Sequence, residues 1–139
     1  MNKLDFGAAA KAVAGFIVAL FTFAFGKPDQ WFISLIIFLV LDYFTGITAA
    51  FINKELSNKT GFNGILKKVM YLAVVVVGCS IDNALDFTGV VREIVIGFLV
   101  ANEGLSILEN CANCGLPIPK KLINVLKQIR KEDDESNDE

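Results

Sequence analysis

The 139-residue sequence contains no histidine and has only three proline residues, three cysteines and one tryptophan. The lack of histidine removes the commonest general base and a common metal ligand, so no Ser–His or Cys–His nucleophile pair can form. The sequence also has no glycine-rich loop of the kind that cradles phosphates. We therefore expect a chain that is not an enzyme, holds no cofactor or metal ion and does not bind nucleic acid.

The three cysteines are too few to indicate a secreted disulfide scaffold. Cys111 and Cys114 have CxxC spacing, but a closed zinc site normally needs four ligands, and Cys79 lies in an apolar segment. We interpret these cysteines as structural or incidental. A redox site or a contact between subunits is the alternative.

Charged residues are also scarce, at 20% of the chain, whereas 54% is hydrophobic and the mean hydropathy is +0.55. Crossing ~30 Å of hydrocarbon takes roughly 20 helical residues. The sequence predicts an all-α integral membrane protein with four transmembrane helices, over about residues 7–26, 31–52, 69–85 and 90–108. The short connections predict two helical hairpins. Because further apolar segments follow the first, we expect it to be retained rather than cleaved as a signal peptide.

The distribution of basic residues predicts the orientation, since cytoplasmic loops are rich in Lys and Arg. With both termini in the cytoplasm, Lys27 and Arg92 are the two on the outside, and the other eleven of the 13 Lys and Arg residues are inside. We therefore expect a multi-pass protein of the bacterial cytoplasmic membrane with cytoplasmic N- and C-termini.

The chain after the last span differs in composition from the predicted transmembrane domain, residues 1–116. Residues 117–131 combine an apolar helical stripe with basic residues, which predicts a short cytoplasmic amphipathic helix on the inner leaflet. Residues 132–139, EDDESNDE, are predicted to form a disordered acidic tail.

Ionisable residues inside a span are energetically expensive and usually face protein or water. Asp42, Asp82 and Glu103 are the candidates here, together with the polar Asn102. One interpretation is structural, with the side chains near span ends or hydrogen-bonded between helices. The other is that they line a water-filled path or hold an oligomer together.

Small and polar residues recur at helical spacing beside these carboxylates. The small-xxx-small spacing of Gly15 with Ala19 and of Gly46 with Ala50 lets helix backbones approach closely. The predicted packing or lumen face comprises Gly15, Ala19, Asp42, Thr45, Gly46, Ala49, Ala50, Asp82, Glu103 and Ser106.

Two blocks of sequence have a recognisable motif pattern. In the first, an Asp early in a span is followed by a Gly and, beyond a basic loop, by G-xx-G-xxx-K; the residues are Asp42, Gly46, Lys54, Gly61, Gly64 and Lys68. The second is E-x-x-S-I-L-E-N followed by G-L-P-x-P-x-x-L, with Glu103, Ser106, Ile107, Leu108, Glu109, Asn110, Gly115, Leu116, Pro117, Pro119 and Leu122. Together they resemble the phage-lysis and toxin-secretion holins of Gram-positive phages and clostridia.

The resemblance implies a non-enzymatic protein that accumulates in the membrane and then oligomerises into a timed pore or lesion. Its released cargo would be an endolysin, which leads to host lysis, or a toxin. A small proton-coupled four-helix transporter is the alternative, although such an exporter is expected to have its essential Glu in the first span, where this chain has Lys11. A membrane adaptor that recruits a soluble partner is a third hypothesis.

Overall fold

The computed structural model describes residues 3–55 and 57–135, and all the regular structure among them is helical. The five helices are α1 (Lys3–Phe25), α2 (Gln30–Ile52), α3 (Asn58–Ala84), α4 (Val90–Asn113) and α5 (Lys120–Glu135). The predicted all-helical architecture is confirmed. Among the described residues, three helical segments are long and apolar enough to cross a membrane: Gly7–Phe25, Gln30–Ile52 and Gly61–Ala84.

The predicted fourth span falls on α4, which is 24 residues long. Its charged residues, Arg92, Glu93, Glu103 and Glu109, make it less hydrophobic than the three segments above. The helix α4 is therefore long enough to cross a membrane but is not among the three apolar candidates. The four-span topology stays a prediction.

Local sequence features determine where α1 ends and α2 begins. Gly26 has a φ of +75°, the left-handed conformation that commonly ends a helix, and Pro28 follows it. Asp29 is the N-cap of α2, and its carboxylate accepts a hydrogen bond from the backbone N–H of Phe32 at 2.9 Å. These signals place the helix ends within a residue of the predicted boundaries.

The third helix begins earlier than predicted. It starts at Asn58, eleven residues before the predicted start of the span at residue 69, and its apolar segment starts at Gly61. The hydropathy pattern detects only the apolar part of a helix, whereas the polar stretch 58–68 contains no proline to interrupt one. Helix α3 therefore extends beyond the predicted span, whose start at residue 69 stays a prediction, and Lys68 lies inside the helix.

The buried core lies at one end of the bundle, which we call the Arg92 end and which is formed by the connections 26–29 and 85–89. α4 contacts both α2 and α3, and its buried face meets theirs there. The core residues are Phe32, Leu35 and Leu39 of α2, Val75 and Cys79 of α3, and Ile96 and Leu99 of α4. The far end of the bundle, with the 53–57 connection, is the Lys54 end.

The two predicted hairpins differ in the structure. α3 and α4 pack along each other, but α1 contacts α3 instead of α2. Aromatic rings of α1 and α2 nevertheless meet: Phe21 and Phe25 pack on Phe32, with ring centroids 5.8 and 5.5 Å apart. The α1–α2 connection is held against α4, as described below, and the arrangement of the spans as two hairpins stays a prediction.

Large apolar side chains cover the outside of the bundle. On α1, Phe16 and Phe23 are 69% and 72% exposed, and none of its apolar window is buried. On α3, Val69 and Met70 are also exposed. A surface of this kind suits lipid or other helices better than water.

α5 follows a break at Gly115, which has a φ of +87°, and at Pro117 and Pro119. It contacts α4 and extends to Glu135, so the first four residues of the predicted disordered tail, 132–135, are helical. Residues 136–139 lie outside the described part of the chain. The amphipathic, membrane-surface role predicted for 117–131 stays a prediction.

Candidate functional site

An ion cluster joins α2, α3 and α4 about halfway along the bundle. The ammonium of Lys68 on α3 donates to Asp42 Oδ2 on α2 at 2.7 Å and to Glu103 Oε2 on α4 at 2.5 Å. The Glu103 side chain is 1% exposed, and those of Lys68 and Asp42 are 15% and 17% exposed. One lysine thus bridges two carboxylates in the helix interfaces.

Neutral polar groups extend this cluster toward the Lys54 end. The Asn110 amide on α4 donates to Asp42 Oδ1 and to Thr45 Oγ1, both at 3.2 Å. The Thr45 hydroxyl in turn donates to the backbone carbonyl of Asp42 at 3.1 Å. Separately, Asn102 donates to the Tyr71 hydroxyl at 2.8 Å and so links α4 to α3. These polar side chains therefore find their hydrogen-bond partners within a single chain.

Helical spacing explains why these residues meet. Asp42, Thr45 and Ala49 recur at i, i+3 and i+7, so they share the face of α2 that meets α4. Glu103 and Asn110 are seven residues apart on the facing side of α4. The predicted polar face thus brings Asp42, Thr45 and Glu103 to one place, and Ala49 is buried beside them.

Lys68 is the member of the cluster that lies outside the predicted spans, since the third of them begins at residue 69. A signal for its position exists: Lys68, Leu72, Val75 and Cys79 follow one another at spacings of four, three and four along α3. The last two of these residues are core residues. Lys68 therefore continues the buried face of α3 by two turns beyond the apolar core.

A cleft of about 270 Å³, lined by both polar and apolar residues, extends from the cluster along the α2–α3–α4 interface. Asp42, Lys68 and Asn110 line one part of it, and Ala50 and Gly61 line another, closer to the Lys54 end. Gly46, Gly64 and Ser106 also line it. Two of the predicted small residues, Gly46 and Ala50, thus border this cleft.

A second polar cluster lies at the Arg92 end, where one guanidinium holds the α1–α2 connection. Arg92 Nε donates to the Phe25 carbonyl at 2.7 Å and Nη2 donates to the Lys27 carbonyl at 3.0 Å. Nη1 and Nη2 donate to the Asp29 carboxylate at 2.6 and 3.2 Å. Hydrogen bonding to Arg92 holds the pKa of Asp29 below its ordinary value of 3.8.

Asp82 joins α3 to the start of α4 at the same end. Its carboxylate oxygens accept hydrogen bonds from the backbone N–H groups of Val91 and Arg92 at 3.0 and 2.8 Å. The N-cap residue of α4, Gly89, has no side chain to do this. Asp82 therefore supplies the acceptors that the free N–H groups of a helix start require, and it is only 4% exposed.

The remaining small and motif residues fall in different surroundings. Gly15 has open space where a Cβ would be, and Ala19 is exposed, so this pair is uncovered in the part of the chain that the structure describes. Gly61 and Gly64 lie beside the Tyr43 ring, and Glu109 is exposed on α4.

The cysteines are free, with Cys79 buried and Cys111 and Cys114 half-buried. Among the described residues, no group of three or more His, Cys, Asp and Glu side chains is arranged to hold a metal ion.

Comparison with known proteins decides the family. The sequence profile of the Bacteriophage holin family matches residues 19–131, which is most of the chain. The chain belongs to the bacteriophage holin family. This confirms the resemblance seen in the two motif blocks, both of which lie within the matched residues.

Curated relatives of this holin-family chain include bacterial proteins and a protein of a Bacillus phage. The "Probable holin" of Bacillus phage phi105 is 33% identical over 104 residues, covering 75% of this chain and 77% of the phage protein. An uncharacterized 14.9 kDa protein from the nagH 3′ region of Clostridium perfringens is 45% identical over 111 residues, covering 79% and 84%. The uncharacterized Listeria monocytogenes protein Lmo0128 is 39% identical over 123 residues, covering 86% and 88%. No solved structure matches the chain.

Proposed function

We propose that the chain is a holin that oligomerises in the bacterial cytoplasmic membrane and forms a timed lesion through which an endolysin leaves the cell. The observation that carries this proposal is the holin-family match over residues 19–131, supported by the probable holin of a Bacillus phage. A toxin is the alternative cargo that the same lesion would release. Family membership does not favour the alternative of a proton-coupled transporter.

The proposed topology has four crossings with both termini in the cytoplasm. Burial of charge supports α4 as the fourth crossing: Arg92 and Glu103 are buried and bonded to partners, which removes two of its four charges from the lipid-facing surface. The exposed side of α4 carries Ile94 and Phe98. In this arrangement the Arg92 end lies outside and the Lys54 end lies inside.

The proposed subunit contacts use surfaces that the single chain leaves uncovered. Gly15 and Ala19 are uncovered among the described residues, and so is the whole stretch 7–21 of α1. In lipid, where apolar surface alone gives little drive to associate, small residues favour close helix packing. We therefore place α1 at the contact between subunits.

The function is tested by induction in a bacterium together with a cytoplasmic endolysin. We expect the membrane potential to collapse abruptly after a delay, and lysis to follow only when the endolysin is active. A catalytically inactive endolysin is the matched control, since it should leave the depolarisation and remove the lysis. Steady growth, an unchanged potential and no endolysin release would contradict the proposal.

The topology is tested by single cysteines in a background without Cys79, Cys111 and Cys114. Membrane-impermeant maleimide should label a cysteine at Lys27 in intact cells. A cysteine at Lys54 or Lys121 should react only after the membrane is opened. Labelling of position 121 in intact cells would show three crossings instead of four.

A further inference from the structure

An apolar groove runs between α2 and α4 on the outside of the bundle. It has a volume of about 430 Å³, and Phe38 and Leu41 of α2 form one of its walls. Gly97, Ala101 and Gly104 of α4 lie along the other side, and all of its described lining residues are apolar. Because the side chains of these three residues have one carbon or none, another helix can approach α4 closely here.

The α1 helix of the same chain does not fill this groove. Among the described helices, the backbone of α1 comes close to that of α3 alone, and none of the described α1 residues lines the groove. Every residue from 7 to 21 is nevertheless exposed. The chain therefore leaves both an apolar helix and an apolar groove uncovered, and the one does not occupy the other.

The helix and the groove lie at the same depth in the bundle. Two copies in one membrane have the same orientation, so residues of the two that meet lie at equal distances from the Arg92 end. Measured from the end of α1 at 1.5 Å per residue, the exposed stretch 7–21 lies about 6 to 27 Å from that end. Measured in the same way from the start of α4, the groove residues 97–108 lie about 11 to 27 Å from it.

Two exposed charges of opposite sign lie at the Arg92 end. Lys27 follows α1, and Glu93 is four residues before Gly97 and therefore on the groove face of α4. Neither side chain has an ion-pair or hydrogen-bond partner in the described part of the chain. The Lys27 carbonyl is bonded to Arg92, the residue next to Glu93, so the two charges lie at equal depth. Opposite charges placed in this way fix the register of an interface.

A second apolar groove, between α2 and α3, lacks this complementarity. Val69 and Lys68 are among its lining residues, and none of the described residues that line it is acidic. Toward the Arg92 end, the same face of α3 continues with the uncharged residues Val76, Ser80 and Asn83. This groove therefore has no negative group to attract the basic end of α1, and the charges favour the groove between α2 and α4.

We propose that α1 of one copy packs into the α2–α4 groove of a second copy, with Lys27 of the first paired with Glu93 of the second. This inference rests on the proposed oligomerisation in the membrane and names the surface that receives α1. The helix and the groove are different surfaces of one chain, so the contact is head-to-tail, and each added copy leaves a groove free. The assembly can therefore grow beyond a dimer until its ends meet and close a ring.

The first test is disulfide crosslinking in membranes between two differently tagged full-length chains, in the cysteine-free background described above. One chain carries Ala19→Cys and the other Gly97→Cys, a position where a Cβ meets nothing within 4 Å. We expect the mixed disulfide to be the main product. Val40→Cys is the matched control for Gly97→Cys, because Val40 lines the groove between α2 and α3 and should give little mixed product.

Three outcomes would overturn the proposal. A main product that joins two Ala19→Cys chains would show α1 packed against α1 in a two-fold contact. Oligomers captured by an amine-reactive crosslinker, without the mixed disulfide, would leave the groove to lipid. Absence of oligomers together with a constant membrane potential would overturn the proposed function as well, so the two failures are distinguishable.

The second test exchanges the charges at the contact. Adding Lys27→Glu to the Ala19→Cys chain places two acidic groups together, and we expect the yield of the mixed disulfide to fall several-fold. Adding Glu93→Lys to the Gly97→Cys chain as well pairs opposite charges again and should restore the yield. A yield that Lys27→Glu leaves unchanged, or that Glu93→Lys does not restore, would overturn the pairing of Lys27 with Glu93.

Discussion

Lys68 of α3 and Glu103 of α4 form the most buried ion pair of the described residues, with 2.5 Å between Nζ and Oε2. The same ammonium contacts Asp42 of α2, so a single side chain ties three helices together. Removing one partner of a buried pair leaves the other charge without compensation, which is more destabilising than the pair is stabilising.

Replacing Lys68 is therefore expected to destabilise the bundle strongly. Lys68→Met leaves Asp42 and Glu103 facing each other without a cation, and we expect a loss of about 3–5 kcal/mol in the free energy of unfolding. The measurement is reversible unfolding in mixed detergent micelles. Lys67→Met is the matched control, because Lys67 is exposed one residue away, and it should cost less than about 1 kcal/mol.

A rescue variant separates electrostatics from packing. Adding Asp42→Asn and Glu103→Gln to Lys68→Met should recover a large part of the lost stability, because no net charge then remains in the interface. A triple variant that is no more stable than Lys68→Met would show that uncompensated charge is not the cause of the lost stability.

The start of α4 is expected to depend on Asp82. Asp82→Ala removes the acceptors for the Val91 and Arg92 backbone N–H groups, and by analogy with helix caps it should cost about 0.5–2 kcal/mol. Asp82→Asn keeps one acceptor oxygen and should lose less. Hydrogen exchange of the Val91 and Arg92 amides measures the effect directly, with Asp86→Asn as the control, since Asp86 is exposed in the same connection.

Acid is expected to weaken the contact between Asp29 and Arg92. Because the pKa of Asp29 is lower in the folded chain, the carboxylate contributes stability above its ordinary value of 3.8 and loses it as the pH falls below that value toward the folded pKa. Unfolding measured from pH 5 downward should show this loss in the wild type. Asp29→Asn should have lower stability at pH 5 and a flatter profile; an unchanged profile would exclude Asp29 as its source.

The size of the side chain at position 46 is expected to have a graded effect on the free energy of unfolding. A Cβ on Gly46 would lie 3.5 Å from the Asn110 amide nitrogen, an ordinary contact, so Gly46→Ala should change the unfolding free energy by less than about 1 kcal/mol. Gly46→Leu drives a larger side chain into the Asn110–Asp42 contact and should cost about 1–3 kcal/mol. Equal stability of the two variants would show that the α2–α4 interface adapts freely.

Enlarging the small residues of α1 is expected to change the assembly of subunits and not the stability of the single chain. Gly15→Leu and Ala19→Leu add side chains in open or exposed positions, so the monomer should unfold as the wild type does. If α1 forms the subunit contact, chemical crosslinking in membranes should show fewer oligomers, and depolarisation should start at a different time. Val18→Leu, on an exposed α1 position, is the matched control; unchanged crosslinking in both Gly15 and Ala19 variants would remove α1 from the assembly.

Periodicity made part of the candidate site predictable. The polar face of α2 followed from the spacing of Asp42 and Thr45, and Glu103 and Asn110 share a face of α4 for the same reason. The position of Lys68 was missed because the predicted span began one residue after it. The Arg92–Asp29 contact could not be predicted, because its partners are 63 residues apart in sequence and no local pattern encodes a contact of that separation.

The three-helix ion cluster also determines when, during biosynthesis, the bundle can close. Asp42 is synthesised first, Lys68 follows 26 residues later, and Glu103 follows Lys68 by a further 35. While α2 and then α3 enter the membrane, the ribosome has not yet produced the helix that buries their polar faces. The bundle can therefore close only after α4 has emerged, so a chain truncated before residue 103 would leave Asp42 and Lys68 in the membrane without the helix that encloses them.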